Sequence, residues 1–159
     1  MTKDEFISAA TAAARAFAES GGSPAGVTVA QAALESNWGQ SQLSRHAHNY
    51  FGIKAHGSLP WIELPTREAK NGALVRTVAR FAKYESMEAC FADRQRILAK
   101  VAAYADARAC AGDPEAFIRA LARHWATDPR YAEKLLRLYR EHGFSTSSTD
   151  PDSEERKTK

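Results

Sequence analysis

Residues 27–55 read VTVAQAALESNWGQSQLSRHAHNYFGIKA, and this stretch decides the fold. Thr28 stands three residues before Gln31, the spacing of a capping box, in which two side chains satisfy backbone N–H groups at the start of a helix. Alanines and Leu34 then form an apolar side at helical spacing. The sequence therefore predicts a helix over about residues 29–38.

One carboxylate, Glu35, lies near the end of this predicted helix, just before an expected helix exit at Trp38-Gly39. We expect a further helical turn or two over residues 41–46, and then an irregular but ordered segment over 49–54 that packs beside the acid. Burial disfavours the charged form of a carboxyl and raises its pKa, so a buried Glu35 can act as a general acid near neutral pH. The alternative, from pattern alone, is a solvated residue at a helix end.

Two sequence blocks resemble a known family. AxxxLESxWG and NxFGIKA stand here in the order and spacing of the glucosaminidase family of bacterial peptidoglycan hydrolases, the flagellar and autolysin type. This chain departs from the family's pattern at Asn37, where the family often has Gly, and at Tyr50, where it often has Leu. The matching residues are Ala30, Leu34-Glu35-Ser36, Trp38-Gly39, Ser41, Leu43 and Asn49-Tyr50-Phe51-Gly52-Ile53-Lys54-Ala55.

The resemblance covers about residues 5–143 and implies both a fold and an activity. The fold would be mainly α within the α+β class, a lysozyme-like helical domain with a small β-hairpin lobe flanking a cleft. The activity would be that of an endo-β-N-acetylglucosaminidase, which hydrolyses the β-1,4 bond between N-acetylglucosamine and N-acetylmuramic acid in peptidoglycan. Glu35 would be the general acid that protonates the leaving oxygen.

Residues 59–84 change character and predict the β-hairpin. Asn71-Gly72 is a strong signal for a two-residue hairpin turn, and apolar and β-branched residues flank it on both sides. Pro65 is expected at an edge or a bend, because proline cannot donate to a sheet ladder. In the resembled family this region forms a lobe on one side of the cleft.

The second carboxylate is expected within this hairpin. The family's Thr-x-Glu corresponds to Thr66-Arg67-Glu68, so the resemblance points to Glu68 as the group that activates water or stabilises a cationic sugar. Glu63 is the competing acid, and a solvated hairpin charge is the alternative reading. The sequence leaves open whether the reaction inverts, retains, or uses the substrate's own acetamido group.

The C-terminal third predicts a run of helices. Ser86 is expected to cap a helix over 87–103, and an alanine-rich stretch over 104–112 is expected to continue helical. Asp113-Pro114 then predicts the start of another helix, because Asp is a good cap and proline fits the first helical position.

The segment ATDPRYAEKL, residues 126–135, closely resembles the family's ATDPxYAxKL motif. Asp128-Pro129 predicts a helix start with Asp128 as the cap, and Gly143 predicts its end. The family places the motif's tyrosine at the cleft, so Tyr131 is expected to position the sugar or the acid. The alternative is an aromatic side chain wedged between helices.

Flat aromatic rings suit the faces of sugars, so several side chains are expected to line a cleft. Trp125 and Phe117 are expected in the core instead. The predicted catalytic residues are Glu35, Glu68 and Tyr131, and the predicted substrate-binding residues are Trp38, Asn49, Tyr50, Phe51, Lys54 and Trp61.

Length and composition indicate one globular domain. Of the 159 residues, 44% are hydrophobic and 26% charged, an ordinary mixture for a soluble fold. We expect a domain over 1–144 and a disordered tail over 145–159, which lacks apolar side chains. The net charge of +3 is too small to indicate a nucleic-acid partner, but it suits weak steering toward an anionic cell wall. No apolar run approaches the roughly 18 residues of a membrane helix.

No cofactor or metal is expected. His46, His48 and His56 are close in sequence, but no matching ligand set accompanies them. Cys90 and Cys110 are expected to be small buried thiols rather than a disulfide. We expect a monomer that acts on glycan strands.

The first residues lack the pattern of a secretory signal. Asp4 and Glu5 interrupt the front and Arg15 breaks the apolar run, so we expect an amphipathic helix over 3–19. Action in the periplasm or at the cell wall would then require a lysis system, a secretion apparatus or a signal trimmed from the chain.

Two other classes of function remain open. One is a lytic transglycosylase or a muramidase on the same fold. The other is a non-enzymatic wall-binding component of a phage or flagellum. The 49–54 block argues for the glucosaminidase, and Glu35 argues against the non-enzymatic reading.

Overall fold

The computed structural model describes residues 1–18 and 23–142, which form a set of packed helices and one two-stranded antiparallel hairpin. The predicted helix end at Gly143 and the predicted tail over 145–159 lie outside these residues. The elements are α1 (Lys3–Ala18), α2 (Ala25–Ser36), α3 (Gln42–Ala47), β1 (Trp61–Lys70), β2 (Ala73–Ala82), α4 (Met87–Lys100), a 3₁₀ turn (Ala102–Tyr104), α5 (Ala105–Ala109), α6 (Pro114–Trp125) and α7 (Tyr131–Glu141).

Helix α2 lies among the other helices and packs against α1, α6 and α7. Its residues from 26 to 33 are all buried, because small alanine side chains let neighbouring helices approach on several sides. The core around it is apolar and closely packed. Its fully buried large side chains include Phe6, Val27, Val29, Phe91, Ile118, Leu121 and Leu135.

The start of α2 differs from the prediction. The helix begins at Ala25, after Pro24, and no side chain caps it. The predicted capping box is wrong: the Thr28 N–H donates to the Pro24 carbonyl at 3.1 Å, so Thr28 already lies inside the helix. Proline presets a compatible φ for a helix start, and its carbonyl supplies the first helical acceptor. Gln31 is thereby released for another role.

The end of α2 explains the sequence after the acid. Asn37, Trp38 and Gly39 have φ angles of 49°, 58° and 77°, three left-handed residues in succession. The Ser36 hydroxyl donates to the Ala32 carbonyl at 2.6 Å and accepts from the Gly39 N–H at 2.9 Å. Asparagine tolerates the left-handed region better than other side chains, which accounts for Asn37 where the resembled family often has Gly.

The hairpin is confirmed, with its turn at Asn71-Gly72. Both turn residues have positive φ, as a type I′ turn requires. Pro65 lies opposite Val78 in a sheet of two strands, so each strand is an edge. The preceding loop joins the hairpin through a bridge between Lys54 and Phe81.

Two of the predicted caps are confirmed. The Ser86 side chain accepts from the Ala89 N–H at 3.1 Å at the start of α4. The Asp113 side chain accepts from the Ala116 N–H at 3.2 Å at the start of α6. Helix α4 ends at Lys100 rather than 103, because the backbone of Val101 is extended.

The predicted cap at Asp128 is wrong. Helix α7 begins at Tyr131 with Arg130 before it. The Asp128 carboxylate accepts instead from the Arg130 N–H at 2.9 Å and from Lys134 Nζ at 2.7 Å. Asp128 therefore closes the turn that precedes the helix. Aspartate side chains commonly accept a hydrogen bond from the backbone N–H two residues further on.

The cysteines are free thiols: Cys90 is buried and Cys110 is half-buried. His48 Nδ1 lies 3.1 Å from the Tyr84 carbonyl oxygen. Within residues 1–18 and 23–142, no three histidine, cysteine or acidic side chains are grouped to hold a metal ion. No helix of that same part is long and apolar enough to span a membrane.

Candidate active site

Glu35 lies in the last turn of α2, one turn after Gln31 and on the same face. Its side chain is partly buried, and this burial raises the pKa of its carboxyl. A hydrogen bond from the Tyr131 hydroxyl acts in the opposite direction and is the smaller effect. Glu35 is therefore not a solvated helix-end residue; it is an acid whose proton is held more tightly than usual.

Tyr131 reaches Glu35 from the first residue of α7. Its side chain is only 5% exposed, and its hydroxyl accepts a hydrogen bond from Gln31 Nε2 at 3.1 Å. Burial, followed by the charge of Glu35, raises the pKa of this hydroxyl, so it stays protonated and can donate to the carboxyl. The side chain is thus both wedged between helices and in contact with the acid.

The loop over residues 49–54 packs beside the acid, as predicted. Gly52 has a φ of 70°, and a Cβ there would lie 3.8 Å from Glu35 Oε2. Because residue 52 is a glycine, no side chain lies between the loop backbone and the Glu35 carboxyl at this point.

The hairpin separates the two competing acids onto opposite faces. Glu68 shares the more buried face with Thr66 and pairs with Lys54. Glu63 is on the other face, where its Oε1 accepts from Arg80 Nε at 3.2 Å. The hydrogen bond from Lys54, reinforced by the charge of that lysine, lowers the pKa of Glu68.

The environments of Glu35 and Glu68 push their pKa values apart. Burial favours a protonated Glu35, whereas Lys54 favours an ionised Glu68. A pair of carboxyls divided in this way can supply an acid and a base or anion at the same pH.

Four of the predicted sugar contacts are buried in the structure, which argues against their binding a sugar directly. Trp38 is 9% exposed, and its ring packs edge-on to Phe6 at 6.1 Å between centroids. Tyr50 and Phe51 pack against Phe91 at 6.2 and 4.9 Å. Their residue type indicated sugar binding, but their rings fill the core.

Asn49 is the fourth of these buried residues, and its amide makes all of its hydrogen bonds inside the protein. Nδ2 donates to the carbonyls of Ile53 and Ala82, both at 2.9 Å. Oδ1 accepts from the N–H groups of Phe51 and Ile53 at 3.3 and 3.1 Å. Asn49 therefore shapes the loop that carries Gly52 and is not available to a sugar.

Lys54 and Trp61 are exposed, and they lie in different surroundings. Lys54 pairs with Glu68 and lies over the ring of Phe81. Trp61 is 46% exposed on the hairpin face opposite Glu68, with the Arg80 guanidinium 4.2 Å from its ring centroid. The structure thus brings Lys54 to a predicted catalytic residue and does not bring Trp61 there.

Two polar residues behind the acid, Gln31 and Arg94, were not among the predicted site residues. Arg94 is 1% exposed and donates through Nε to Gln31 Oε1 at 2.7 Å. A signal was present, since Arg94 occupies an apolar position in the helical repeat of α4. A lone arginine at such a position is either solvated or held by buried polar partners.

A second missed cluster surrounds Asp93, whose side chain is buried. Burial raises the pKa of this carboxyl, but hydrogen bonds from Tyr84, His56 and Arg96 outweigh burial and hold the pKa below its ordinary value. His56 Nε2 lies 2.7 Å from Asp93 Oδ2, and Arg96 donates to Oδ1 at 3.1 Å. The cluster ties the exit of the hairpin to α4.

Comparison with known proteins identifies the family of this chain. The model of the family described as glucosaminidase, mannosyl-glycoprotein endo-beta-N-acetylglucosaminidase, matches residues 11–144. The peptidoglycan hydrolase FlgJ of Pseudomonas aeruginosa is 37% identical over 145 residues, which cover 87% of this chain and 36% of the relative. A probable N-acetylmuramidase of Lactococcus lactis subsp. lactis is 36% identical over 149 residues, covering 89% of this chain and 34% of the relative.

A solved structure has the same fold. A peptidoglycan hydrolase mutant from Sphingomonas sp. A1 superposes with a TM-score of 0.79 at 35% identity, covering 92% of this chain and 97% of that one. The lysozyme-like α+β class predicted from the sequence is thereby confirmed. The chain spans about a third of the length of the two curated relatives. The match over residues 11–144 shows that this chain belongs to the glucosaminidase family of glycoside hydrolases.

Proposed function

We propose that this domain hydrolyses peptidoglycan at the β-1,4 bond between N-acetylglucosamine and N-acetylmuramic acid, with Glu35 as the general acid. The proposal is supported chiefly by the position of Glu35 at the end of α2. Its carboxyl is partly buried, has a raised pKa and is hydrogen-bonded to Tyr131. Glycoside hydrolysis needs such a group to protonate the leaving oxygen. The domain would act in the periplasm or at the cell wall.

Glu68 is proposed as the second carboxylate. Its pairing with Lys54 keeps it ionised, and an ionised carboxylate can activate water or stabilise a cationic sugar. Glu63 is the weaker candidate, because it lies on the more exposed face of the hairpin, opposite the face on which Glu68 meets Lys54.

Tyr131 is proposed to hold Glu35 rather than to contact sugar. Its hydroxyl is shared between Gln31 and Glu35, and its ring is buried. Lys54 is the one predicted substrate contact that is both exposed and adjacent to a proposed catalytic residue. It is proposed to bind the substrate beside Glu68.

A muramidase is the second candidate activity, because relatives from Lactococcus lactis carry the name probable N-acetylmuramidase. The acid chemistry would be the same. The two activities differ only in which sugar occupies the site on the non-reducing side of the bond.

The test is mass spectrometry of the fragments released from purified peptidoglycan by the wild type and by Glu35→Gln. We expect fragments with reducing N-acetylglucosamine ends from the wild type, and a loss of about 10²-fold or more in their rate of release by the variant. Glu85→Gln, which neutralises an exposed acid between the hairpin and α4, is the matched control.

Each other outcome has a definite meaning. Reducing N-acetylmuramic ends would establish the muramidase instead, and anhydro ends a lytic transglycosylase. Full activity of a folded Glu35→Gln variant would show that another group is the acid. A folded wild type that releases nothing would favour a wall-binding role.

A further inference from the structure

Four side chains form a continuous buried network from α4 to the acid: Arg94, Gln31, Tyr131 and Glu35. Arg94 Nε donates to Gln31 Oε1 at 2.7 Å, and Gln31 Nε2 donates to the Tyr131 hydroxyl at 3.1 Å. The Tyr131 hydroxyl in turn bonds to the Glu35 carboxyl. Gln31 and Arg94 are 0% and 1% exposed, so no solvent competes for these bonds.

The chemistry of arginine fixes the direction of every bond in this network. A guanidinium can only donate, so the amide oxygen of Gln31 must face Arg94. The amide nitrogen must then face Tyr131, whose hydroxyl uses a lone pair to accept from it. The single hydroxyl hydrogen is left for Glu35. Without Arg94, the amide of Gln31 could turn over and the hydroxyl of Tyr131 could reverse.

The other contacts of Arg94 argue for a role beyond stability. Its other contacts are neutral: Nη1 donates to Ser23 Oγ at 2.8 Å and to Thr28 Oγ1 at 3.1 Å, and the guanidinium lies 5.0 Å from the ring centroid of Phe51. Within residues 1–18 and 23–142, no carboxylate pairs with it and Nη2 has no acceptor. A buried charge without an ion partner is costly, and an apolar side chain would cost less.

We propose that Arg94, acting through Gln31, fixes the Tyr131 hydroxyl as a hydrogen-bond donor to Glu35 and thereby positions the acid for proton transfer. Gln31 and Arg94 are positioning residues, since neither touches the reacting bond. The proposal rests on the proposed function, in which Glu35 is the general acid. A donated hydrogen bond favours the charged form of a carboxyl, so the network also opposes the effect of burial on this group.

The test is the isosteric substitution Gln31→Glu. Both oxygens of the new carboxylate can only accept, so Arg94 gains an ion pair while Tyr131 must turn its hydrogen away from Glu35. The pKa of Glu35 is then expected to rise, since the carboxyl loses a donor and gains a negative neighbour. Carbon-13 NMR titration of protein labelled at the glutamate carboxyls measures this, and Glu35→Gln identifies the signal. Gln42→Glu, which adds the same charge at an exposed position at the start of α3, is the control.

Tyr131→Phe separates the network from simple charge repulsion. In that background, Gln31→Glu is expected to shift the pKa of Glu35 clearly less than when Tyr131 is present, because the effect no longer has a route through the hydroxyl. An equal shift in both backgrounds would overturn the proposal, and so would an unchanged pKa in a folded Gln31→Glu protein. The titration needs no turnover, so it gives its answer even if the domain cleaves no peptidoglycan and the proposed function fails.

Kinetics supply the second readout. Gln31→Glu is expected to lower the maximal kcat about ten- to a hundredfold with little change in KM, as for a misplaced catalytic group. The basic limb of its pH–rate profile should move to higher pH, because Glu35 stays protonated longer. Arg94→Lys retains a donor for Gln31, so the basic limb of its pH–rate profile should stay at the wild-type pH. Arg94→Met lacks this donor, and its basic limb should move. If the basic limb lies at the same pH in Arg94→Lys and in a folded Arg94→Met, the proposed role of Arg94 is contradicted.

Discussion

At the scale of single residues, Glu35 links activity to stability. The pKa of Glu35 is raised in the folded protein, mainly by burial, so the folded state binds this proton more tightly than the unfolded state does. The free energy of unfolding must then fall as pH rises from the unfolded pKa through the folded one. The acid is a source of instability at neutral pH.

Glu35→Gln should therefore stabilise the fold, and more so as pH rises through that window. We expect its free energy of unfolding to exceed that of the wild type above the folded pKa of Glu35, and the difference to shrink toward acid pH. Urea unfolding over about pH 4 to 8 measures this. Glu85→Gln is the control, and the idea fails if the two variants behave alike.

Glu68 and Glu63 offer a matched comparison on one hairpin. Glu68→Gln is expected to lower kcat about 10²- to 10⁴-fold, the usual contribution of such a group, whereas Glu63→Gln should remain within about twofold. Steady-state hydrolysis of peptidoglycan measures both. Equal losses of kcat would show that Glu68 has no role that Glu63 lacks, and a larger loss for Glu63→Gln would reverse the assignment.

In the proposed reaction, Lys54 is expected to set the acid limb of the pH–rate profile. It lowers the pKa of Glu68, so activity that needs an ionised Glu68 is lost only as pH falls through this lowered value. Lys54→Met is expected to move that acid limb to higher pH and to leave the basic limb, which belongs to Glu35, in place. A pH–rate profile in which neither limb moves would separate Glu68 from catalysis.

At the scale of elements, backbone geometry dictates the residue after Trp38. Gly39 has a φ of 77°, and a Cβ there would lie 3.1 Å from Phe6 Cδ2 and 3.2 Å from Met1 Sδ. Gly39→Ala is expected to lower the free energy of unfolding by about 1–3 kcal/mol through strain and overpacking. Gly112→Ala, where nothing lies within 4 Å, should stay within about 0.5 kcal/mol. Thermal or urea unfolding compares them, and equal effects would refute this account of the turn.

The elements also show what local sequence can and cannot predict. Asp113-Pro114 and Asp128-Pro129 carry the same helix-start pattern, yet only Asp113 caps its helix. Asp128 bonds to Arg130 N–H and to Lys134 instead. The hairpin turn was predictable, because Asn-Gly satisfies two positive φ angles locally. Whether an aspartate caps a helix depends on which N–H groups its carboxylate accepts from. Side chains several residues away, such as Lys134 beside Asp128, affect this.

At the scale of the whole molecule, the fold and the position of Glu35 followed from short motifs, but the surroundings of the site did not. Trp38 and Phe51 are aromatic residues of the kind that binds sugars, yet packing against α1 and α4 buries them. The spacing of Arg94 in the sequence falls among the apolar positions of α4, which predicts burial but not a partner. Its guanidinium is indeed buried, but only the assembled fold shows that Gln31 receives it.

Asp93 joins three parts of the molecule, since it binds Tyr84 after the hairpin, His56 in the loop and Arg96 in α4. Its pKa is lowered in the folded state, so its contribution to stability is present above the unfolded pKa and is lost as pH falls through the folded one. Asp93→Asn should lower the free energy of unfolding by about 1–3 kcal/mol at neutral pH.

The deficit of Asp93→Asn should narrow on acidification, because the wild type then loses the same charge. Unfolding in urea at neutral and acid pH measures the deficit at each. Arg96→Gln, which removes one exposed partner, is the milder companion variant. A deficit that is constant with pH would show that packing, and not the charge of Asp93, holds these three segments together.

The loop beside the acid is built on a single amide. Asn49 donates to two carbonyl oxygens, those of Ile53 and Ala82, through one nitrogen atom. Deamidation, the slow chemical ageing of asparagine, would replace that nitrogen with oxygen and set a negative charge against both carbonyls. The amide bonds only to loop and hairpin residues and to none in a helix, so its loss would act first on the loop that holds Gly52 against Glu35. Aged protein would therefore keep its helical content while the surroundings of its acid were lost.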